Sequence, residues 1–416
     1  MTPVIVAAVA VVVVAGAIAW WLAYRELQRC EQALVQRART EAAQAPARTP
    51  HGDPVDGTFV DRLTAAYPAL VEAGTAWSPP VPDPVLDQCV AIRDGLRSMM
   101  DVPPVCGELV ATHAGAIAAL RDAVHARELG DIASLRGMKA WPIMSTAALA
   151  GLYGRFALDG DGDRREALAV CEDLLALWRD LSLVGDLYLR TSAASLVGRT
   201  LPMCAEATAT ASREELEAHV GELATIAGGL PDPDRAVRAE LTWMELALFG
   251  HELGAATSEL PEAARQRIAE VDRYDIVADR DATPRVLAPF VIAPAWEDYQ
   301  WLADAIAKAS REAPVDAMVT IDALLARDDV ADLARAGVAS RWDRHLSRDH
   351  VARGRLAMLH AMASLRLHGD IVDPPLQVPG VTFETTDESP PRLVAHWAVN
   401  ADSGEPSGDA IFVHRP

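Results

Sequence analysis

Four segments with helical periodicity between Arg164 and Leu253 decide the fold, and the first of them reads RREALAVCEDLLALWR (164–179). Apolar side chains recur in it every three or four residues, which places them on one face of an α-helix. Three similar segments follow at Gly185–Thr208, Ser212–Ala227 and Asp234–Leu253. The sequence therefore predicts long helices that pack against one another.

Local signals mark where two of these helices start. Asp163 followed by Glu166, and Ser212 followed by Glu215, match the capping-box pattern of a short acceptor and a carboxylate three residues later. The segment Gly185–Thr208 is apolar on nearly every face. We therefore expect it to be the central helix, with Leu174, Leu196 and Leu201 buried in the core.

The five cysteines include no CxxC pair and are too few for a disulfide framework in a chain of 416 residues. Cys171 and Cys204 lie on apolar helix faces, where we interpret them as small buried hydrophobic residues. A bridge between Cys89 and Cys106 stays open, because it requires an oxidising compartment.

Composition and net charge favour one fold class and argue against one class of partner. Half of the residues are hydrophobic and 5% are aromatic, which favours a mainly helical chain with a sizeable core. The formal net charge is −21, and such a field repels phosphate backbones. We therefore predict no nucleic-acid partner.

An apolar run of 21 residues extends from Val4 to Tyr24. About 20 apolar residues in a helix span the hydrocarbon core of a bilayer. Trp20, Trp21 and Tyr24 fit the aromatic belt at a membrane interface. A cleaved signal peptide is the alternative, but no Lys or Arg precedes the run and bulky residues end it, so we predict a single-pass anchor.

The remainder divides into three predicted regions. A polar juxtamembrane helix and a Pro/Gly-containing linker occupy 25–57, with the linker itself at 46–57. A helical domain follows at 58–370, as a bundle or an irregular array, with further helices at Val60–Ala73, Pro84–Met100, Cys106–Leu129, Trp141–Leu158, Trp296–Arg311, Val315–Ala326 and Ser340–His368. A connection is predicted at Asp279–Pro294, and a small β-hairpin tail at 371–416.

No segment carries a recognisable site. Asp159–Asp163 has the alternating carboxylates of a calcium loop but lacks the Gly and Glu that an EF-hand needs, so we interpret it as a turn. His345, His350 and His360 lie near Asp343 and Asp349 without a third-ligand pattern, and we interpret them as ordinary polar residues. We assign no catalytic, cofactor-binding or metal residue and predict a non-enzymatic protein rather than an enzyme.

The quoted helices support a family resemblance. EALAVCEDLLALWRDL (166–181), with Leu187–Ala205, Ser212–Leu223 and Leu230–Glu240, resembles a loose group of bacterial proteins that have one N-terminal membrane helix and an exported helical domain. Many of them end in a long helix and a β tail similar to the C-terminal region of pseudopilins. Arg353–His368 followed by Leu393–His414 resembles a degenerate version of that tail, which lacks its usual Asp-Pro-Phe/Trp and Gly-Lys/Asn-Pro segments, and no functional residue carries over.

Two signals disagree about the side of the membrane on which the domain after the anchor lies. Arg25, Arg29, Arg37 and Arg39 follow the apolar run and favour a cytoplasmic domain, although long domains are exported largely regardless of such charges. The resemblance implies a domain outside a bacterial inner membrane, and we favour that side. The predicted function is a membrane-anchored binding or scaffold module of the cell envelope with a protein partner. The alternative is a hydrolase whose site is dispersed between helices.

Overall fold

The computed structural model describes residues 2–43, 48–78, 84–95, 102–130, 135, 138–159, 163–183, 187–253, 287–338, 342–369, 376–385, 392–396 and 410–412. The fold is mainly helical with a few short strands, as the sequence predicts. The central residues of the predicted turn at Asp159–Asp163 and the start of the connection at Asp279–Pro294 lie outside the described residues.

The elements follow one another along the chain as α1 (Thr2–Ala43), β1 (Val55–Thr58), α2 (Phe59–Trp77), α3 (Pro84–Arg93), α4 (Pro104–Thr112), α5 (Ala114–Val124), β2 (Ala126–Glu128), α6 (Ala140–Asp159), α7 (Arg164–Leu183), α8 (Leu187–Thr210), α9 (Arg213–Gly228), α10 (Pro233–Leu253), α11 (Ala288–Ala309), α12 (Pro314–Leu325), α13 (Asp332–Val338), α14 (Trp342–His368), β3 (Thr382–Thr385), β4 (Arg392–His396) and β5 (Ala410–Phe412). Helices α7 to α10 confirm the four predicted segments.

The chain divides into two compact units that each combine distant parts of the sequence. Unit 1 comprises Met1–Gln44, Val237–Ala309 and Ala317–Arg341, and unit 2 comprises Ala45–Ala236, Ser310–Asp316 and Trp342–Pro416. The predicted helical domain at 58–370 is therefore distributed over both units.

Helix α8 is the centre of unit 2, as its apolar composition predicts, and it packs against α6, α7 and α14. Leu174 and Leu196 are buried, as expected. Leu201 is half-buried, so its predicted burial is wrong. Helical periodicity identifies the apolar face but does not distinguish the centre of a packed interface from its rim.

Unit 1 contains the N-terminal helix. The stretch Ala10–Arg37 of α1 is long and apolar enough to cross a membrane. Near the C-terminal end of that stretch, Cys30 and Leu34 are buried, and α1 packs against α11. A buried carboxylate, Glu245, accepts a hydrogen bond from Trp296 Nε1 at 2.6 Å. Burial raises the pKa of Glu245 to about 7.

Helix α11 begins at Ala288, eight residues before its predicted start, although Pro294 lies inside it. The interpretation of 288–294 as part of a loose connection is therefore wrong. Pro289 lies in the first turn, where the backbone N–H groups have no intrahelical acceptor to lose. Pro294 is the seventh residue and removes one intrahelical hydrogen bond, to the carbonyl of Phe290, yet the helix continues through it.

Two other predicted helices are altered. The helix expected at Pro84–Met100 ends at Arg93 within the described residues. The segment Cys106–Leu129 contains two helices that meet at His113, followed by strand β2. Apolar residues continue past Arg93 and past His113, so the local pattern did not reveal that the helical hydrogen bonding is interrupted at these two residues.

The strands form two small sheets. Strand β1 pairs with β2 in parallel, with Val55 opposite Ala126. In the C-terminal tail, β3, β4 and β5 form an antiparallel sheet in that order. The described tail therefore has three paired strands, one more than the predicted hairpin.

Two disulfides join neighbouring helices of unit 2. Cys89–Cys106 links α3 to α4, and Cys171–Cys204 links α7 to α8, with Cα atoms 5.6 and 5.4 Å apart respectively. Cys171 and Cys204 are buried, as predicted, but they are bonded to each other, so their interpretation as simple hydrophobic residues is wrong. Their position on apolar faces indicated burial, but a local pattern does not show which side chain faces them.

Candidate functional site

Helix α7 carries a stripe of carboxylates along a helix that is otherwise largely buried. Glu166, Asp173 and Asp180 are seven residues apart, and seven residues make nearly two helical turns, so the three lie on one face. Asp173 and Asp180 are 2% and 0% exposed. Buried carboxylates require compensating partners, and the residues that supply them come from the two chain segments around β1 and β2.

The first of these segments lies within the predicted linker at 46–57, and that prediction is wrong for its described part. The side chains of Arg48 and His51 are almost fully buried, and Val55–Thr58 forms β1. Pro, Gly and Asp in this segment indicated turns, but their frequency does not exclude burial when ionic partners are available.

The pairing of β1 with β2 brings His51 close to His125. Val55 N donates to His125 O at 2.8 Å, and the two imidazole rings lie 5.1 Å apart. Gly52, next to His51, has a φ of +56°, and a Cβ there would stand 2.7 Å from the His125 ring. Glycine is therefore required for both the backbone conformation and the close approach of the ring.

Both histidines converge on one carboxylate oxygen. Asp173 Oδ1 lies 3.1 Å from His51 Nε2 and 2.8 Å from His125 Nε2. The other oxygen, Oδ2, accepts a hydrogen bond from Arg121 Nε at 2.5 Å. On its far side, His51 Nδ1 lies 2.9 Å from Glu222 Oε2 on α9. The Asp173 cluster, as we call these five residues, thus draws on α5, α7, α9 and the segment before β1.

Electrostatics favour charged groups in the Asp173 cluster. Burial acts to lower the pKa of His51, but hydrogen bonds to Asp173 and Glu222 outweigh it and raise that pKa to about 9. Burial acts to raise the pKa of Asp173, but the two histidines and Arg121 hold that pKa well below its usual range. In the metal-free protein at neutral pH, His51 is therefore an imidazolium that bridges two carboxylates.

Glu166 extends the cluster toward solvent. Its Oε1 atom accepts hydrogen bonds from Arg121 Nη1 at 2.5 Å and from Tyr153 OH at 3.0 Å. Asp163 caps α7 as predicted, since its Oδ1 accepts from Glu166 N at 3.1 Å. The side chain of Glu166, however, accepts hydrogen bonds from Arg121 and Tyr153 and does not complete a capping box with Asp163. The predicted capping box of Ser212 and Glu215 is formed in full.

The opposite end of the stripe is a buried ion-pair group. Arg48 lies 2.7 Å from Asp180 Oδ2 and also donates to Val124 O. Arg179 donates from Nε to Asp180 Oδ1 at 2.9 Å and is fully buried. Two guanidinium groups on one carboxylate fix segment 48–51 against α7, which holds His51 in place.

The Asp173 cluster contains a set of atoms that can hold a metal ion. His51, His125 and Asp173 each offer one ligand atom, and these three atoms lie within 4.8 Å of one another. Two imidazole nitrogens and a carboxylate oxygen form a donor set that suits zinc and other first-row transition metals.

The histidines of α14 that the sequence analysis considered do not form a cluster like that around Asp173. Asp349 accepts from Arg190 Nη2 at 2.9 Å and from Arg353 Nε at 2.7 Å, and so belongs to a structural ion pair. His345 contacts the Thr191 hydroxyl, and burial lowers the pKa of His350 to about 4. Within the described part of the chain, these side chains form no group of three converging ligands.

Comparison with models of known families, with curated proteins and with solved structures gave no significant match to this chain.

Sequence reasoning did not identify the Asp173 cluster. Its ligand residues are separated by 74 and 48 positions, and His51 fell in a segment interpreted as a linker. One local signal was present: Glu166, Asp173 and Asp180 recur at heptad spacing on a helix whose other positions are mostly apolar. Carboxylates repeated on one face of a buried helix indicate partners elsewhere in the chain.

Proposed function

We propose that this chain is a single-pass, membrane-anchored protein of the bacterial cell envelope whose helical part after the anchor lies outside the inner membrane and binds a protein partner. The observation that carries the proposal is an apolar N-terminal helix combined with two disulfides in the chain that follows it. Disulfides form and persist in oxidising compartments and are rare in the bacterial cytoplasm. The two disulfides therefore support export of the domain, although the arginines that follow the anchor favour a cytoplasmic location.

Exposed apolar side chains support a binding role. At the start of α11, Leu287, Phe290 and Val291 are 45–52% exposed and lie on one helix face by their spacing of three and four residues. Contiguous apolar surface on a soluble domain commonly marks an interaction site. The partner is therefore expected to present an apolar surface of its own.

Location is tested by two measurements on the full-length protein. A reporter enzyme that is active only in the periplasm, fused after Pro416, should be active. Acid-quenched cells treated with a mass-tagged maleimide under denaturing, non-reducing conditions should show only one reactive thiol, that of Cys30. A silent reporter in a well-expressed fusion, or five labelled thiols, would place the domain in the cytoplasm.

Binding is tested by site-specific photocrosslinking in native membranes. A photoreactive residue at Phe290 should give a discrete adduct, whereas the same residue at the exposed polar position Glu214 on α9 serves as the control. Identical adduct patterns at both positions, or none at Phe290, would contradict a docking role for this face.

A second candidate function is hydrolysis, and one observation favours it. The Asp173 cluster places Asp, Glu and His groups with shifted pKa values between helices, an arrangement that active sites often share. Turnover of an ester, amide or phosphoester substrate that is lost in Asp173→Asn but kept in Glu217→Gln would support an enzyme.

A further inference from the structure

We propose that the Asp173 cluster is a binding site for one Zn²⁺-class transition-metal ion, with His51 Nε2, His125 Nε2 and Asp173 Oδ1 as its protein ligands. The inference is independent of the proposed location and partner, because it concerns only the interior of unit 2.

The atom positions are close to those of a zinc site. Zinc binds nitrogen and oxygen ligands at about 2.0–2.2 Å, so neighbouring ligand atoms of a tetrahedral site are about 3.3 Å apart. The two Asp173 Oδ1 contacts, at 2.8 and 3.1 Å, are slightly shorter than that separation, and the three atoms lie within 4.8 Å of one another. The separations are therefore within about 1.5 Å of those that a tetrahedral ion requires.

The outer contacts are those that orient metal ligands. Metal-bound histidines usually donate their second ring N–H to a carboxylate, which fixes the tautomer and the ring plane. Here Glu222 Oε2 lies 2.9 Å from His51 Nδ1 and leaves Nε2 for the ion. Arg121 holds Asp173 Oδ2 and leaves Oδ1 free for the same purpose.

Charge balance also favours a divalent ion. With both imidazoles neutral, Asp173, Glu166 and Glu222 carry three negative charges against the single positive charge of Arg121. The net charge of these contacting groups is negative, which favours a bound cation at Asp173, although the side chains of Glu166 and Glu222 are 28% and 31% exposed and so are partly screened by solvent. Two imidazole ligands favour zinc over magnesium or calcium, which prefer oxygen ligands throughout.

The site has an access route and room for a further ligand. The His125 side chain is 26% exposed, whereas those of His51 and Asp173 are 2% exposed, so an ion enters past His125. Three protein ligands leave a fourth position for water, as in zinc sites that bind or activate small molecules. The bound ion would also link the segment before β1, the end of α5 and α7.

The test uses full-length protein in detergent, stripped with a chelator and dialysed against buffered Zn²⁺. Metal analysis should give about one ion per chain, and Co²⁺ in its place should show the ligand-field absorption of a low-coordinate site. His125→Gln should reduce zinc affinity by at least about tenfold, and Glu222→Gln, which removes only the orienting carboxylate, by about 10-fold to 100-fold.

A matched control is available on the same helices. His219 is also buried and pairs with a carboxylate of α7, since its Nδ1 lies 2.6 Å from Glu172 Oε1. Among the residues that the structure describes, it belongs to no group of three potential ligands. His219→Gln should keep wild-type zinc stoichiometry. Less than about 0.1 ion per wild-type chain, or equal binding by His125→Gln, would overturn the proposal. If His125→Gln does not fold, as judged by circular dichroism, Glu222→Gln decides the same question.

Discussion

Substitution of Asp173 by Asn tests whether the Asp173 cluster holds unit 2 together. The change keeps the side-chain volume but removes a buried negative charge that contacts His51, His125 and Arg121. His51 can release its proton in response, whereas Arg121 stays charged at all relevant pH values. Arg121 also retains Glu166 as a partner.

Removing one partner of a buried ion pair costs about 3–5 kcal/mol. Because His51 can become neutral and Arg121 keeps one carboxylate, we expect the lower end of this range, about 3 kcal/mol. Asp173 is 2% exposed, so solvent and salt screen its interactions little.

Hydrogen exchange followed by mass spectrometry on the full-length, chelator-treated protein measures this cost where it arises. Amides of α7 in Asp173→Asn should exchange faster by the factor that corresponds to the lost free energy of opening, about 100-fold. The control is Glu217→Gln, which removes an exposed pair with Arg213 at 3.3 Å and should cost less than about 1 kcal/mol. If both variants slow or accelerate α7 exchange equally, the cluster contributes no more than a surface ion pair and the reasoning fails.

Three further predictions follow from other features. In chelator, the stabilisation from His51, whose pKa rises from 6.5 to about 9 on folding, should be fully present below pH 6.5 and lost as pH rises through 9. The contribution of His51 to the free energy of unfolding, measured by urea titration, should not exceed about 3 kcal/mol. A His51→Gln variant that lacks this pH dependence would confirm the assignment. Leu174→Ala should cost about 2–5 kcal/mol and half-buried Leu201→Ala clearly less; equal losses would contradict the packing. Gly52→Ala should destabilise unit 2 by at least about 1 kcal/mol and weaken zinc binding, because the added Cβ would displace the His125 ring. An unchanged zinc affinity would show that Gly52 does not determine the position of that ring.

The helical organisation of residues 164–253 was determined by the sequence itself. The spacing of apolar residues in 164–253 predicted α7 to α10, and the Ser212–Glu215 capping box was predicted as the structure has it. Both features depend on residues within one or two helical turns of each other, so they are present in the local sequence.

The partners of buried groups were decided only by the tertiary structure. The heptad-spaced carboxylates of α7 were visible in the sequence, but nothing local indicated that His51 and His125 would meet Asp173. Their meeting depends on the parallel pairing of β1 with β2, between segments about 70 residues apart. Cys171 and Cys204 follow the same rule: their burial was predictable from a helix face, whereas their disulfide depends on how α7 and α8 are aligned. Long-range contacts are selected by packing and by compensation of buried charge over the whole chain, and no short window of sequence contains that information.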